Sequence, residues 1–308
     1  MLAARLCSLS LALAAAVYPL GGEKRETVRV TAWADSGGPL AASDLQASMN
    51  GRPAKVVAAR GPGDDLIIML VLDLTEDLGL VELAKESLAA SLAELPAGTH
   101  VAVLRAQDGL SVLLDPTADR AAAKKAITEL PVSGFSGLLD TVVTSARIAD
   151  AMLDRANVRV AVVHITDSSI YNYRDDYINP VVNGSDQRDI SRRFPEGLIR
   201  EKISKLESRL ASFEAPLFIV HLNYRTDRMN EAYQSGLMQL AAATGTNAVF
   251  CRSRAEVPQA VASTLARVAS HYSVVLSVPE RPEKMLQVQL DNGGRALSYR
   301  SRIVLDKD

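Results

Sequence analysis

The residues best suited to chemistry lie where apolar runs end in acid. In "LIIMLVLDLTEDLGL" an apolar run stops at Asp73, and Thr75, Glu76 and Asp77 follow at once. A second run, "VRVAVVHITD", stops at Asp167. A third stretch, "VSGFSGLLD", offers Ser136 between Gly134 and Gly137, which permit close backbone approach. Asp73, Thr75 and Asp77 alternate, so a turn leaving a strand can aim three oxygens at one point. Two carboxylates brought together repel and desolvate poorly. A hard divalent cation (Mg2+, Mn2+ or Ca2+) relieves both problems, because such ions take oxygen ligands. The competing reading is helix capping, since Thr and Asp cap N-termini and acids in a first turn suit the helix dipole. On that reading the site holds no metal.

The elements that must position these residues follow from the apolar pattern. "LIIMLVLD" has the near-continuous apolar character of a strand covered on both faces. "LGLVELAKESLAASLAELPAG" has helical spacing. "THVAVLRA" and "LSVLLD" read as strands, and "TADRAAAKKAITELP" as a helix with Thr117 as N-cap and Pro131 beyond its end. The helices "GLLDTVVTSARIADAMLDRA", "PEGLIREKISKLESRLASFE", "EAYQSGLMQLAAATG" and "AEVPQAVASTLARVAS" then alternate with the strands "VRVAVVHITD", "APLFIVHL" and "TNAVFC". This alternation predicts an α/β fold with a doubly wound, mostly parallel sheet. Ligands of such sheets sit beyond the carboxyl ends of the strands. Asp73 and Asp167 both fall at such ends.

Both flanks of this body read differently. "TVRVTAWA" alternates as a half-buried strand does, and "DSGG" and "NGRP" are turn chemistry. After His271 come "YSVVLSVPE", "KMLQVQLDNG" and "RALSYRSRIVL", strands joined by turns. The two ends are expected to pair into one small β module. The expected organisation is a signal peptide over 1–22, an N-terminal β segment over 23–63, the α/β domain over 64–272 and a C-terminal β segment over 273–308.

The leader expectation rests on "MLAARLCSLSLALAAAVYPLGG", with Arg5, an apolar run, and a small-x-small site at Ala14 and Ala16. The run is shorter than the roughly 20 residues a spanning helix needs, so no stable membrane span is expected after cleavage. The expected location is periplasmic or secreted. Of Cys7 and Cys251, only the second lies outside the leader, so no internal disulfide is expected. The net charge of −2, with scattered Lys and Arg, excludes a basic field for nucleic acid.

With these residues in place, the chain resembles a von Willebrand factor type A domain, a Rossmann-like fold, over about Asp64 to Tyr272. That family's metal-ion-dependent adhesion site has Asp-x-Ser-x-Ser after the first strand, a Thr loop, and an Asp after the fourth strand. Asp73 matches the first Asp, Thr75 the first Ser and Asp77 the second Ser. Ser136 matches the Thr, and Asp167 the last Asp. "AGTHVAVLRAQDGLSVLLDPTAD" and "YQSGLMQLAAATGTNAVF" are similar to family segments as well, and the flanks "DLQASMNGRPAKVV" and "HYSVVLSVP" resemble a bacterial exported subgroup. The resemblance implies an adhesive module in which one cation accepts an acidic residue of a protein partner. Two departures stand out. Asp77 puts a carboxylate where the family has a hydroxyl, and Ser168 replaces a Gly that often follows the last Asp. The alternative is a structural module of an envelope assembly with the site vestigial.

Enzymatic readings find little support. His100, His164, His221 and His271 show no zinc spacing, and His164 and His221 read as core histidines. Ser136 in "GFSGL" lacks the last glycine of a nucleophile elbow, because Leu138 stands there. No Walker loop or Gly-x-Gly-x-x-Gly is present. Cys251 reads as inert and buried. The long loop over 168–197 carries Tyr171, Tyr173, Tyr177, Asp175 and Asp176 and is a candidate partner surface or a solvated insertion.

Overall fold

The computed structural model describes residues 26–35, 39–174 and 195–305. The expected leader and the stretch holding Asp175, Asp176 and Tyr177 lie outside the described residues. Four N-terminal strands come first: β1 (Thr27–Ala34), β2 (Gln46–Met49), β3 (Arg52–Ala54) and β4 (Val56–Arg60). The α/β body then runs β5 (Leu66–Asp73), α1 (Leu78–Ala93), β6 (Thr99–Arg105), β7 (Ser111–Thr117), α2 (Arg120–Thr128), α3 (Leu138–Arg155) and β8 (Arg159–Thr166). It continues with α4 (Pro195–Leu210), β9 (Leu217–His221), α5 (Arg228–Ala243), β10 (Ala248–Phe250) and α6 (Val257–Ala269). β11 (Tyr272–Ser277), β12 (Met285–Asp291), β13 (Leu297–Tyr299) and β14 (Arg302–Val304) close the described chain.

The body's six-stranded sheet has the order β10-β9-β8-β5-β6-β7. All its pairings are parallel except β6 with β7. From β5 the chain builds outward through β6 and β7, then returns to the other side of β5 with β8. The order therefore reverses between β5 and β8, which places a ligand crevice at their carboxyl ends. β8 is buried at every residue, and β5 nearly so. Alternate β5 side chains serve opposite cores. Ile68, Leu70 and Leu72 pack with Leu88 of α1 and Val261 of α6, while Met69 and Val71 pack with Val142 of α3 and Leu237 of α5. Asp73 continues the second row.

Both ends of the described chain meet in two antiparallel sheets, ordered β13-β1-β11-β4 and β14-β12-β2-β3. Val28, Val30, Val274, Leu276, Leu286, Val288 and Ile303 form the core between them. Three arginines bolt this module to the body. Arg29 donates to the Leu153 carbonyl (2.8 Å) at the end of α3 and pairs with Glu214. Arg159 donates to the carbonyls of Ala269 (2.9 Å), the last residue of α6, and His271 (2.9 Å), just before β11, and to that of Asp64 (2.8 Å) between β4 and β5. Arg300 reaches the Ala211 and Phe213 carbonyls beyond α4. A cation suits the negative end of a helix.

Two local expectations need correction. The N-cap of α2 is Asp119, whose carboxylate accepts from the Ala121 (2.9 Å) and Ala122 (3.1 Å) amides. Thr117 instead ends β7, paired with Val101, because the edge strand runs on through Pro116. Tyr173 is not surface: it is 5% exposed, inside the α3–α5 core. Tyr171 is exposed, and its hydroxyl donates to Asp227. His164 and His221 are buried, as expected.

Candidate metal centre

β5 and β8 run in register, Asp73 opposite Thr166. Asp73 and Asp167 are thus brought together at one end of the sheet, and the Asp167 amide donates to the Asp73 carbonyl (3.4 Å). Both carboxylates are fully buried. Asp73 Oδ1 accepts from the Gly137 amide (3.0 Å), and Oδ2 from the Thr166 hydroxyl (3.1 Å). Burial pushes the Asp73 carboxyl up to about 7; the Asp167 charge adds to the rise, while the Gly137 and Thr166 donors oppose it. Asp167 is raised too, by burial, against three amides that favour its charge. Those amides belong to Thr75, Glu76 and Asp77, each 2.8 Å away. Asp167 therefore shapes the turn between β5 and α1.

The Ser136 loop comes to the same place. Its approach needs glycine: a Cβ on Gly137 would lie 1.6 Å from the Ala106 carbonyl oxygen. The Ser136 amide donates to the Asn172 carbonyl (3.0 Å), just after Asp167 in the chain. Its Oγ is buried and has no hydrogen-bond partner among the described residues. Thr75 Oγ1 shares a hydrogen bond with Ser168 Oγ at 2.9 Å, so the serine that departs from the family pattern holds the threonine.

Asp77 does something else. Its carboxylate caps α1, accepting from the Gly79 (2.9 Å) and Leu80 (3.1 Å) amides, and pairs with Arg254 (3.1 Å). The Leu80 amide leads the effects that hold this carboxyl below its ordinary value. The structure thus groups Asp73, Thr75, Ser136 and Asp167, while the Asp77 side chain takes the capping role. Among the described residues no three Asp, Glu, His or Cys side chains converge as a metal-ligand set. The converging donors are two carboxylates and two hydroxyls. They fit a hard cation in type, and the Ser136 hydroxyl, buried and unpartnered among the described residues, is a polar atom such an ion would satisfy.

Sequence reasoning missed the clamps around the site. Glu76 accepts from the Ser169 amide (3.2 Å) and pairs with Arg225 on the loop after β9. His221 Nε2 contacts the Ser168 carbonyl at 3.1 Å. Glu76 was visible beside Asp73, but Arg225 and His221, which complete the clamps, lie far along the chain.

No family model matches the chain, and no curated protein matches it. Solved structures do. One is proximal thread matrix protein 1 from the mussel byssus with a zinc-occupied MIDAS motif, at 14% identity and a TM-score of 0.46 over 70% of this chain. The match spans about half of that protein, 49% of its chain. A second is von Willebrand factor type A from Catenulispora acidiphila, at 12% identity and a TM-score of 0.46, covering 92% of this chain and 74% of that one. A third is the vWF domain of a type V pili tip protein from Porphyromonas gingivalis, at 11% identity and a TM-score of 0.43, covering 66% and 96%. At such identities and TM-scores the likeness decides nothing about the site, whose chemistry rests on its own residues. Among the described residues no helix is long and apolar enough to cross a membrane.

Proposed function

We propose that the chain is an exported, non-enzymatic protein-binding module of the von Willebrand factor type A kind. It holds one divalent cation with Asp73, Thr75, Ser136 and Asp167. The observation that carries this reading is a buried Ser136 hydroxyl without a partner among the described residues, on a loop whose next residue, Gly137, donates its amide to the buried Asp73 carboxylate. An unsatisfied buried hydroxyl costs about 1–3 kcal/mol, and adjacent buried anions add to it. A bound Mg2+, Mn2+ or Ca2+ would offer an electrophilic position to a partner's carboxylate. The chain's own part is to fix the donors. Asp167 holds the β5–α1 turn through three amides, Gly137 lets the Ser136 loop close on Asp73, and Ser168 orients Thr75.

No catalytic role is proposed. His164 is buried in β8 against Ser145 (3.0 Å), and among the described residues no base reaches the Ser136 hydroxyl. Calorimetric titration of Mg2+, Mn2+ and Ca2+ into the EDTA-stripped protein, beside Asp73→Ala, tests the reading. Saturable binding that the variant loses supports it; equal binding by the variant refutes the assignment.

A second reading has its own observation. The Asp167 oxygens are already engaged by three amides, and a carboxyl with a value of about 7 can stay protonated. A metal-free scaffold module is consistent with both. Absence of heat with all three cations would favour it.

A further inference from the structure

Resting on the cation reading, we infer that Tyr173 and Tyr233 are positioning residues of the site: their paired hydroxyls hold the Ser136 loop against Asp73. Tyr173 stands just after the Asp167 turn, and Tyr233 lies on α5. Their hydroxyls share a hydrogen bond at 2.9 Å, and their rings meet edge to face at 5.8 Å. The Tyr173 hydroxyl accepts from the Leu139 amide (3.4 Å), in the first turn of α3. The Tyr173 backbone forms a parallel bridge with Ser136 itself. Tyr233 stands near Thr166, whose hydroxyl donates to Asp73 (3.1 Å). The pair thus spans two donor loops, touching Ser136 on one side and standing near Thr166, the donor to Asp73, on the other.

Both rings lie in the apolar core with Leu138, Leu139 and Leu237. Phenylalanine would fill the same space there, so packing alone does not call for a hydroxyl. Outer partners that orient ligands typically change metal affinity by about 10–100-fold when removed. Tyr173→Phe and Tyr233→Phe should therefore weaken Mn2+ binding by about 10-fold or more; each also lowers the metal-free melting temperature, because it leaves the partner hydroxyl unpaired.

The experiment is calorimetric Mn2+ titration of wild type, both Phe variants and Leu237→Ala, with hydrogen exchange at the Leu139 amide in EDTA. Leu237→Ala loosens the same core without removing a hydroxyl, so it controls for general loosening. The expected result is weakened Mn2+ binding in both Phe variants, unchanged affinity in Leu237→Ala, and faster Leu139 exchange in Tyr173→Phe. Wild-type affinity in the Phe variants, or an equal loss in Leu237→Ala, would overturn the inference and leave the cation reading standing. No Mn2+ binding by wild type would overturn both.

Discussion

Asp73→Asn isolates the buried charge at the centre of the site. Burial carries this carboxyl from 3.8 to about 7. A folded value above the unfolded one means that the folded chain keeps the proton longer. Below both values the two states are protonated and no penalty exists. As pH rises from 3.8 toward 7 the unfolded carboxyl ionises first, and the folded state loses about 1.4 kcal/mol per pH unit. Above about 7 the penalty is complete, at roughly 4 kcal/mol. An amide does not titrate. The metal-free variant should therefore gain on wild type by about 3 kcal/mol between roughly pH 5 and pH 8. A pH-independent offset is added by the amide's altered contacts with Gly137 and Thr166. The assay is urea unfolding in EDTA across that range, followed by Trp33, the chain's single tryptophan. A stability difference that stays flat with pH would refute the reasoning. Saturating Mg2+ should stabilise wild type and not the variant.

Three further outcomes follow from other parts of the molecule. His164, His221 and His271 are pushed down by burial to about 3, 4 and 4, so their stabilising contribution is complete above 6.5 and is lost as pH falls toward those values. His164→Gln should flatten the acid limb of the stability curve by about 1.4 kcal/mol per pH unit, as urea melts at a series of pH values would show; an unchanged slope contradicts this. Arg159→Met, which strips three carbonyls of their donor at the joint between the sheets, should destabilise by about 3 kcal/mol or more in the same melts; a loss under about 1 kcal/mol would mean that the joint does not depend on it. Asp119→Ala should cost about 1 kcal/mol and Thr117→Ala less, because Asp119 is the cap; the reverse order in urea melts would contradict the assignment.

The α/β body was legible because β5 and β8 are covered on both faces, which writes an unbroken apolar run into the sequence. The convergence of Asp73 and Asp167 followed from their places at the ends of those runs. Gly134 and Gly137 were readable as close-approach positions, and the structure requires both: a Cβ would meet Asp108 in one case and the Ala106 carbonyl in the other. What stayed hidden depends on distant residues or on local competition. Asp77 could cap or ligate, and free amides two and three residues ahead, together with Arg254, draw it to the cap. Tyr173 looked like loop surface because nothing near it in sequence announces Tyr233 on α5. Thr117 and Asp119 are both good caps, and one more strand pairing decided between them.

The most direct test of the central claim is anomalous diffraction from crystals soaked in Mn2+. A single anomalous peak among Asp73, Thr75, Ser136 and Asp167, with the Asp77 carboxylate still on α1, is the expected result. A peak held by Asp77 and distant from Ser136, or no peak there at saturating Mn2+, would contradict it.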